Sequence, residues 1–242
     1  MQLELLKAEK IFQQEGVRST VVVFGGTQLI PEDQSQARLL AAEAALEADP
    51  DDAPAQRELR IAQRVHAKSH YYESAREFGK MVSSKCQIDG ECEYVVMTGG
   101  GPGIMEAANR GAYEVGAKSI GLNIILPEEQ HPNPYITPEL CFQFHYFAIR
   151  KFHFLLRAKA LVIYPGGFGT LDELFDSLTL RQVERMQPIP IILVGQDYWD
   201  RIVNFQALAD EGVIRDRHLG LFEYAETPDE IWQRIVDFHA NN

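Results

Sequence analysis

The sequence predicts an α/β protein: a Rossmann-like, doubly wound parallel sheet with helices on both faces. Three observations predict it. Short β-branched runs alternate with longer helical stretches. The runs are apolar at almost every position, the pattern of strands covered on both faces. Several of them run straight into glycine-rich turns, which is where such sheets bind ligands.

The elements follow in order. The expected strands are Thr20–Phe24 (TVVVF), 94–98 (YVVMT), 118–125 (KSIGLNII), 160–164 (ALVIY) and 189–194 (IPIILV). Between the first two lies a stretch, 28–93, far longer than one crossover needs. It reads as an Ala-rich helix over 35–48, an acidic break over 49–54 (DPDDAP) and one long helix over 55–85. In that long helix Leu59, Ala62, Val65, Ser69, Tyr72, Ala75, Phe78 and Val82 recur every three or four residues, so one face should be buried. Residues 127–147, with Pro127, Pro132, Pro134 and Pro138, read as a long loop followed by an aromatic segment, 141–147 (CFQFHYF). A helix over 147–158 precedes the fourth strand. The last helix starts at Thr227, with Pro228 at its first position and Glu230 completing a capping box. The expectation is a single domain over 1–242 carrying a helical elaboration at about 28–93.

Composition narrows the function. The chain has 242 residues and a formal net charge of −12. Such a chain repels a phosphate backbone and an anionic bilayer, so neither nucleic acid nor membrane is expected as a partner. A small phosphorylated ligand is still allowed, because backbone N–H groups can hold an anion locally. Three cysteines (Cys86, Cys92, Cys141) make no disulfide framework. The first ten residues lack the basic and then apolar pattern of a signal peptide, and a cytoplasmic protein is expected.

The glycine turns carry the chemistry. Thr20–Phe24 runs into Gly25-Gly26-Thr27, the second strand into Gly99-Gly100-Gly101-Pro102-Gly103, and the fourth into Pro165-Gly166-Gly167-Phe168-Gly169-Thr170. Backbone amides there can approach an anion closely, and a following helix adds unpaired N–H groups. None of the three turns completes G-x-G-x-x-G, and no Walker A sequence is present, which disfavours NAD and ATP chemistry. Glu106 and Glu173 fall early in the helices after two of these turns. Thr170 and Glu173 also have the spacing of a capping box. Arg150 and Lys151 fall near a helix start, where a cation opposes the helix dipole, so they answer to something other than helix stability.

These residues resemble the LOG family, phosphoribohydrolases of cytokinin riboside 5′-monophosphates long labelled lysine decarboxylase-like. The resemblance rests on 99–112 (GGGPGIMEAANRGA), on the Arg150-Lys151 pair and on 165–173 (PGGFGTLDE), which matches P-G-G-x-G-T-x-x-E at every fixed position. It covers roughly 20–238 and is nearest the longer bacterial branch. The chain has Gly25-Gly26-Thr27 where relatives more often carry a serine after glycine.

The resemblance implies hydrolysis of an N-glycosidic bond in AMP-like or N6-substituted purine nucleotides, giving free base and ribose 5-phosphate. It implies Arg150 and Glu173 as catalytic residues. The carboxylate of Glu173 suits an oxocarbenium-like state. The guanidinium of Arg150 stays charged and suits the phosphate or the departing base. Substrate binding is expected from Gly25, Gly26, Thr27, Gly100, Gly101, Gly103, Glu106, Lys151, Gly166, Gly167, Gly169 and Thr170. No metal and no cofactor are implied, and a homo-oligomer (a dimer or a multiple of it) is expected. The rival reading is a non-catalytic carrier of a nucleotide or of molybdenum cofactor on the same fold. Only an enzyme needs Glu173 and Arg150 together. His66 and His70 have a spacing that metals use, but no third ligand stands near in sequence.

Overall fold

The computed structural model describes residues 1–87, 92–125 and 131–241. Seven parallel strands form one sheet in the order β4-β3-β2-β1-β5-β6-β7. They are β1 (Thr20–Phe24), β2 (Val95–Thr98), β3 (Ser119–Ile124), β4 (Cys141–Phe144), β5 (Ala158–Ile163), β6 (Ile191–Val194) and β7 (Glu223–Ala225). The chain steps outward from β1 to β4, then returns to lay β5 on the other side of β1. That reversal opens a crevice beyond the carboxyl ends of β1 and β5, where open α/β sheets bind ligands.

Alternation along each strand sends side chains to two separate cores. Val22, Phe24, Met97, Leu161 and Ile163 point to one face. There they meet Phe12 of α1 (Gln2–Gln14), Phe154 of α6 (Phe147–Leu156), Leu174 of α7 (Phe168–Gln182), Trp199 of α8 (Gln196–Ile202) and Phe205 of α9 (Phe205–Asp210). Val21, Val23, Val96 and Val162 point to the other face. They meet Phe78 and Val82 of α4 (His70–Cys86), Ile104 and Ala108 of α5 (Ile104–Glu114) and Ile231 of α10 (Pro228–Ala240). Each fully buried large side chain contributes roughly 1.5–3 kcal/mol by leaving water.

The expected long helix over 55–85 is two helices. α3 (Ala53–His66) ends, and α4 begins after a tight turn in which the amides of Lys68 and Ser69 bond back three residues, to Val65 and His66. The break lets α3 pair with α2 (Glu32–Ala48) while α4 packs against α5. Arg38 bonds Glu58, and Ser35 bonds His66, which makes α2 and α3 an antiparallel pair. His66 and His70 therefore sit on different helices. His70 Nδ1 lies 3.1 Å from the Ala67 carbonyl oxygen.

Two strands lie outside the expected set. β4 sits inside the stretch read as loop and aromatic segment. Its burial alternates, with Phe142 and Phe144 inward and Cys141 and Gln143 outward, as on a sheet edge. Residues 127–130 of that expected loop lie outside the described residues. β7, three residues long, forms the other edge. At α10 the Thr227 hydroxyl accepts from the Glu230 amide, as expected of a cap. The Glu230 carboxylate, however, accepts from the Glu226 amide instead of Thr227's. Among the described residues no helix is long and apolar enough to cross a membrane.

Candidate active site

The crevice contains a cavity of about 420 Å³. The β1 turn contributes Gly25, Gly26 and Thr27 to its wall, and the start of α7 contributes Gly167, Phe168, Gly169 and Thr170. Arg150 enters from α6, and Asp172 and Glu173 from the first turns of α7. Gly99, Met105, Asn123 and Phe147 complete much of the rest.

α7 starts without a cap. Its N-cap is Gly167, with no side-chain hydrogen bond to the first turn. Thr170 and Glu173 lie inside the helix, so their capping-box spacing is not used as a cap. The first amides of a helix have no partner within it. Here those of Phe168, Gly169 and Thr170 stand at the cavity with the positive end of the helix dipole behind them. Phe168 occupies the variable place in the glycine motif and is 92% exposed.

Glu173 is 7% exposed and belongs to the cavity wall. Burial pushes its carboxyl up to about 7; Lys151 and Arg150 pull it down, while Asp172 and Asp176 push it further up. Arg150 is held by two rings: its guanidinium carbon lies 5.2 Å from the Phe154 ring centre and 5.9 Å from that of Phe147. Its Nε is buried without a hydrogen-bond partner among the described residues. Burial lowers the Arg150 pKa, against the opposing pull of Glu173 and Asp172. Among the described residues no ion pair joins Arg150 to Glu173. The cavity thus offers a cation and a carboxyl group that have not neutralised each other by direct contact.

Several residues from the sequence reading lie outside this wall. Lys151 bridges Asp172 at 2.9 Å and Asp176 at 3.6 Å, and lines a separate groove. Burial opposes its charge, yet Asp172, Glu173 and Asp176 together hold its pKa above the usual range. Its charge also pulls the Glu173 carboxyl down directly. Glu106 accepts a 2.8 Å hydrogen bond from Tyr72 on α4 and stands behind the wall. Gly166 lies against Thr170, and its carbonyl accepts from Tyr198 at 2.6 Å.

The second glycine turn, at Gly100, Gly101 and Gly103, supports the first. Gly103 has φ +71°, and a Cβ there would collide with the Gly26 carbonyl oxygen. The Gly100 amide is taken by Thr98, and the Gly26 amide by the Pro165 carbonyl. Beneath the turn, Asn133 Nδ2 donates toward the carbonyls of Gly100 and Gly101 and toward Asn109, which also accepts from Thr98. This buried network fixes the turn's shape. The Gly26 and Gly100 amides are thus already engaged, whereas the first amides of α7 have no partner within their helix.

The sequence marks Phe142, Phe144, Tyr146 and Phe147 as aromatics for the core or a subunit contact, or for stacking on a base; Phe142 and Phe144 are core, and Phe147 lines the cavity. Phe168, Met105 and Asn123 line the cavity outside the expected set, and the first two carry no chemical signature of their own. Asn123 left one signal, a polar side chain near the end of an apolar strand; its amide now donates to the Phe142 carbonyl at 3.1 Å.

Comparison with known proteins adds relatives. A family model described as "Possible lysine decarboxylase" matches residues 105–235, more than half of the chain. The chain is 25% identical over 175 residues to the "Probable cytokinin riboside 5′-monophosphate phosphoribohydrolase LOGL2" of Oryza sativa subsp. japonica, covering 71% of this chain and 68% of that one. It is 26% identical over 176 residues to the "Cytokinin riboside 5′-monophosphate phosphoribohydrolase LOG3" of Arabidopsis thaliana, covering 71% and 77%. A solved molybdenum cofactor binding protein from the phototrophic bacterium Rippkaea orientalis overlays 69% of this chain and 86% of its own, with TM-score 0.49 and 19% identity.

Proposed function

This chain belongs to the family described as possible lysine decarboxylases, the LOG family, and from that premise we propose that it hydrolyses the N-glycosidic bond of purine nucleoside 5′-monophosphates. Substrates are AMP-like or N6-substituted. Water and nucleotide give free base and ribose 5-phosphate. One observation carries the reading: Glu173 and Arg150 face one cavity together with the uncapped first turn of α7.

Each part has a chemical task. The α7 amides and the Thr170 hydroxyl hold the 5′-phosphate, which also meets the positive end of the helix. The ribose then lies toward Glu173. Leaving of the base builds positive charge on C1′ and the ring oxygen, and the Glu173 carboxylate stabilises that charge. Arg150, always charged, stabilises the negative charge on the phosphate or the departing base. Lys151 keeps Asp172 and Asp176 paired, and so limits the negative field that would protonate Glu173 further. The ionised form of Glu173 is the active one, so kcat/KM rises with pH and levels off above about 7.

The test is direct. Purified protein is incubated with a panel of nucleoside 5′-monophosphates and the matching unphosphorylated nucleosides. The reading expects free base and an equal amount of ribose 5-phosphate from one or more purine nucleotides, and little from the nucleosides. Binding without release from any nucleotide would overturn the catalytic reading in favour of a carrier.

A further inference from the structure

We propose that Phe168 and Phe147 form a ring clamp that holds the purine base at the mouth of the cavity and sets the preference for flat aromatic bases. The clamp rests on the nucleotide-cleaving reading above and adds to it what holds the flat faces of the base.

The amides of α7 and Arg150 suit the phosphate, and Glu173 suits the ribose. None of these groups offers an aromatic face to a flat, largely apolar base. Phe168 and Phe147 do. They are the first residues of two different helices, α7 and α6, and both line the same cavity. Phe168 is 92% exposed, and Phe147 is 52% exposed although the Arg150 guanidinium lies over one side of its ring. Among the described residues neither stacks on another aromatic ring, and Phe147 lies 5.9 Å from the Arg150 guanidinium.

A ring left in water forgoes the stabilisation it would gain by burial. Residue 168 is flanked by Gly167 and Gly169, so no neighbouring Cβ shields it. A base sliding between the rings would bury faces on both sides, in the manner of aromatic platforms that bind bases. The two fused rings of a purine present more face than the single ring of a pyrimidine. The clamp therefore favours purines, and it tolerates a substituent at the base edge because stacking reads the face.

Stacking of one base on one ring changes affinity by roughly ten-fold or more. The test measures binding of two probes, adenosine 5′-monophosphate and ribose 5-phosphate, by titration calorimetry. It uses the Glu173→Gln background so that the nucleotide persists. Phe168→Ala should weaken the nucleotide about ten-fold and leave ribose 5-phosphate unchanged. Phe168→Trp should restore nucleotide binding, with the introduced indole quenched on adding nucleotide. Sedimentation velocity should be the same for all three proteins.

Unchanged nucleotide binding in Phe168→Ala would overturn the clamp while leaving the phosphate site standing. Equal loss for both probes, or a changed sedimentation coefficient, would also overturn it, because Phe168 would then be a packing or subunit contact. If the parent protein bound neither probe, the nucleotide reading itself would fall and the clamp with it.

Discussion

Replacing Glu173 with glutamine should cost activity and add stability, and the stability gain should depend on pH. In the folded chain burial holds the carboxyl at about 7, against an ordinary value of 4.5 in the unfolded chain. Below 4.5 both states keep the proton and no difference arises. Between 4.5 and 7 the unfolded chain releases its proton and the folded chain does not, so each step up in pH penalises folding. Above 7 the penalty is complete. At 1.36 kcal/mol per pKa unit it is about 3 kcal/mol, and a group only 7% exposed needs no large discount for solvent screening.

Glutamine keeps the shape and carries no proton to lose. Its advantage over the parent should grow from about 1 kcal/mol at pH 5.5 to about 3 kcal/mol at pH 8.5. Urea unfolding of both proteins at the two pH values, in buffers free of phosphate, measures it. The same variant should lose ~10²–10⁴ in kcat. An advantage that stays constant with pH, or a destabilised variant, would mean that the Glu173 carboxyl is not held protonated by burial.

Other outcomes follow from the same geometry. Arg150→Met should leave the fold intact, since the side chain already lies over two rings, and should lower kcat/KM by roughly 10²-fold or more; full activity would remove Arg150 from the mechanism. Gly103→Ala should lose roughly 1–3 kcal/mol from its positive φ alone, and more from contact with the Gly26 carbonyl; a melting temperature equal to the parent's would contradict the packing of the two turns. His153 is buried, with Nδ1 3.3 Å from Glu9. Burial lowers its pKa, Glu9 opposes that and Arg157 adds to it. The unfolded chain therefore takes up a proton first as pH falls below about 6.5, and stability should drop there. His153→Phe should flatten that part of the melting temperature against pH curve.

Much of the sheet was legible because its strands are apolar on both faces. β1 has the bounds its apolar run suggests, and β5 starts two residues early only because Ala158 and Lys159 carry no strand signature. The edge strands were not legible. β4 alternates buried phenylalanines with exposed Cys141 and Gln143, and β7 is three residues long, so neither looks like a buried run. The break after α3 was hidden because Ser69 and Tyr72 keep the helical rhythm through it; only backbone bonds to Val65 and His66 reveal the turn.

The cavity divides along similar lines. Glycines, Thr170, Glu173 and Arg150 stand out in a sequence by type and spacing. The division of labour between the turns does not, because it depends on which amides are already bonded. The Gly26 and Gly100 amides are taken, and Lys151 is turned to Asp172 and Asp176. Phe168 and Phe147 matter for where the fold puts them, and no spacing announces that.

The most direct measurement is a crystal structure of the Glu173→Gln protein with adenosine 5′-monophosphate bound. The phosphate is expected against the first amides of α7, from Phe168 to Thr170, with C1′ roughly 3–4 Å from the side-chain carboxamide at position 173. A phosphate seated elsewhere, or a glycosidic carbon turned away from that side chain, would contradict it.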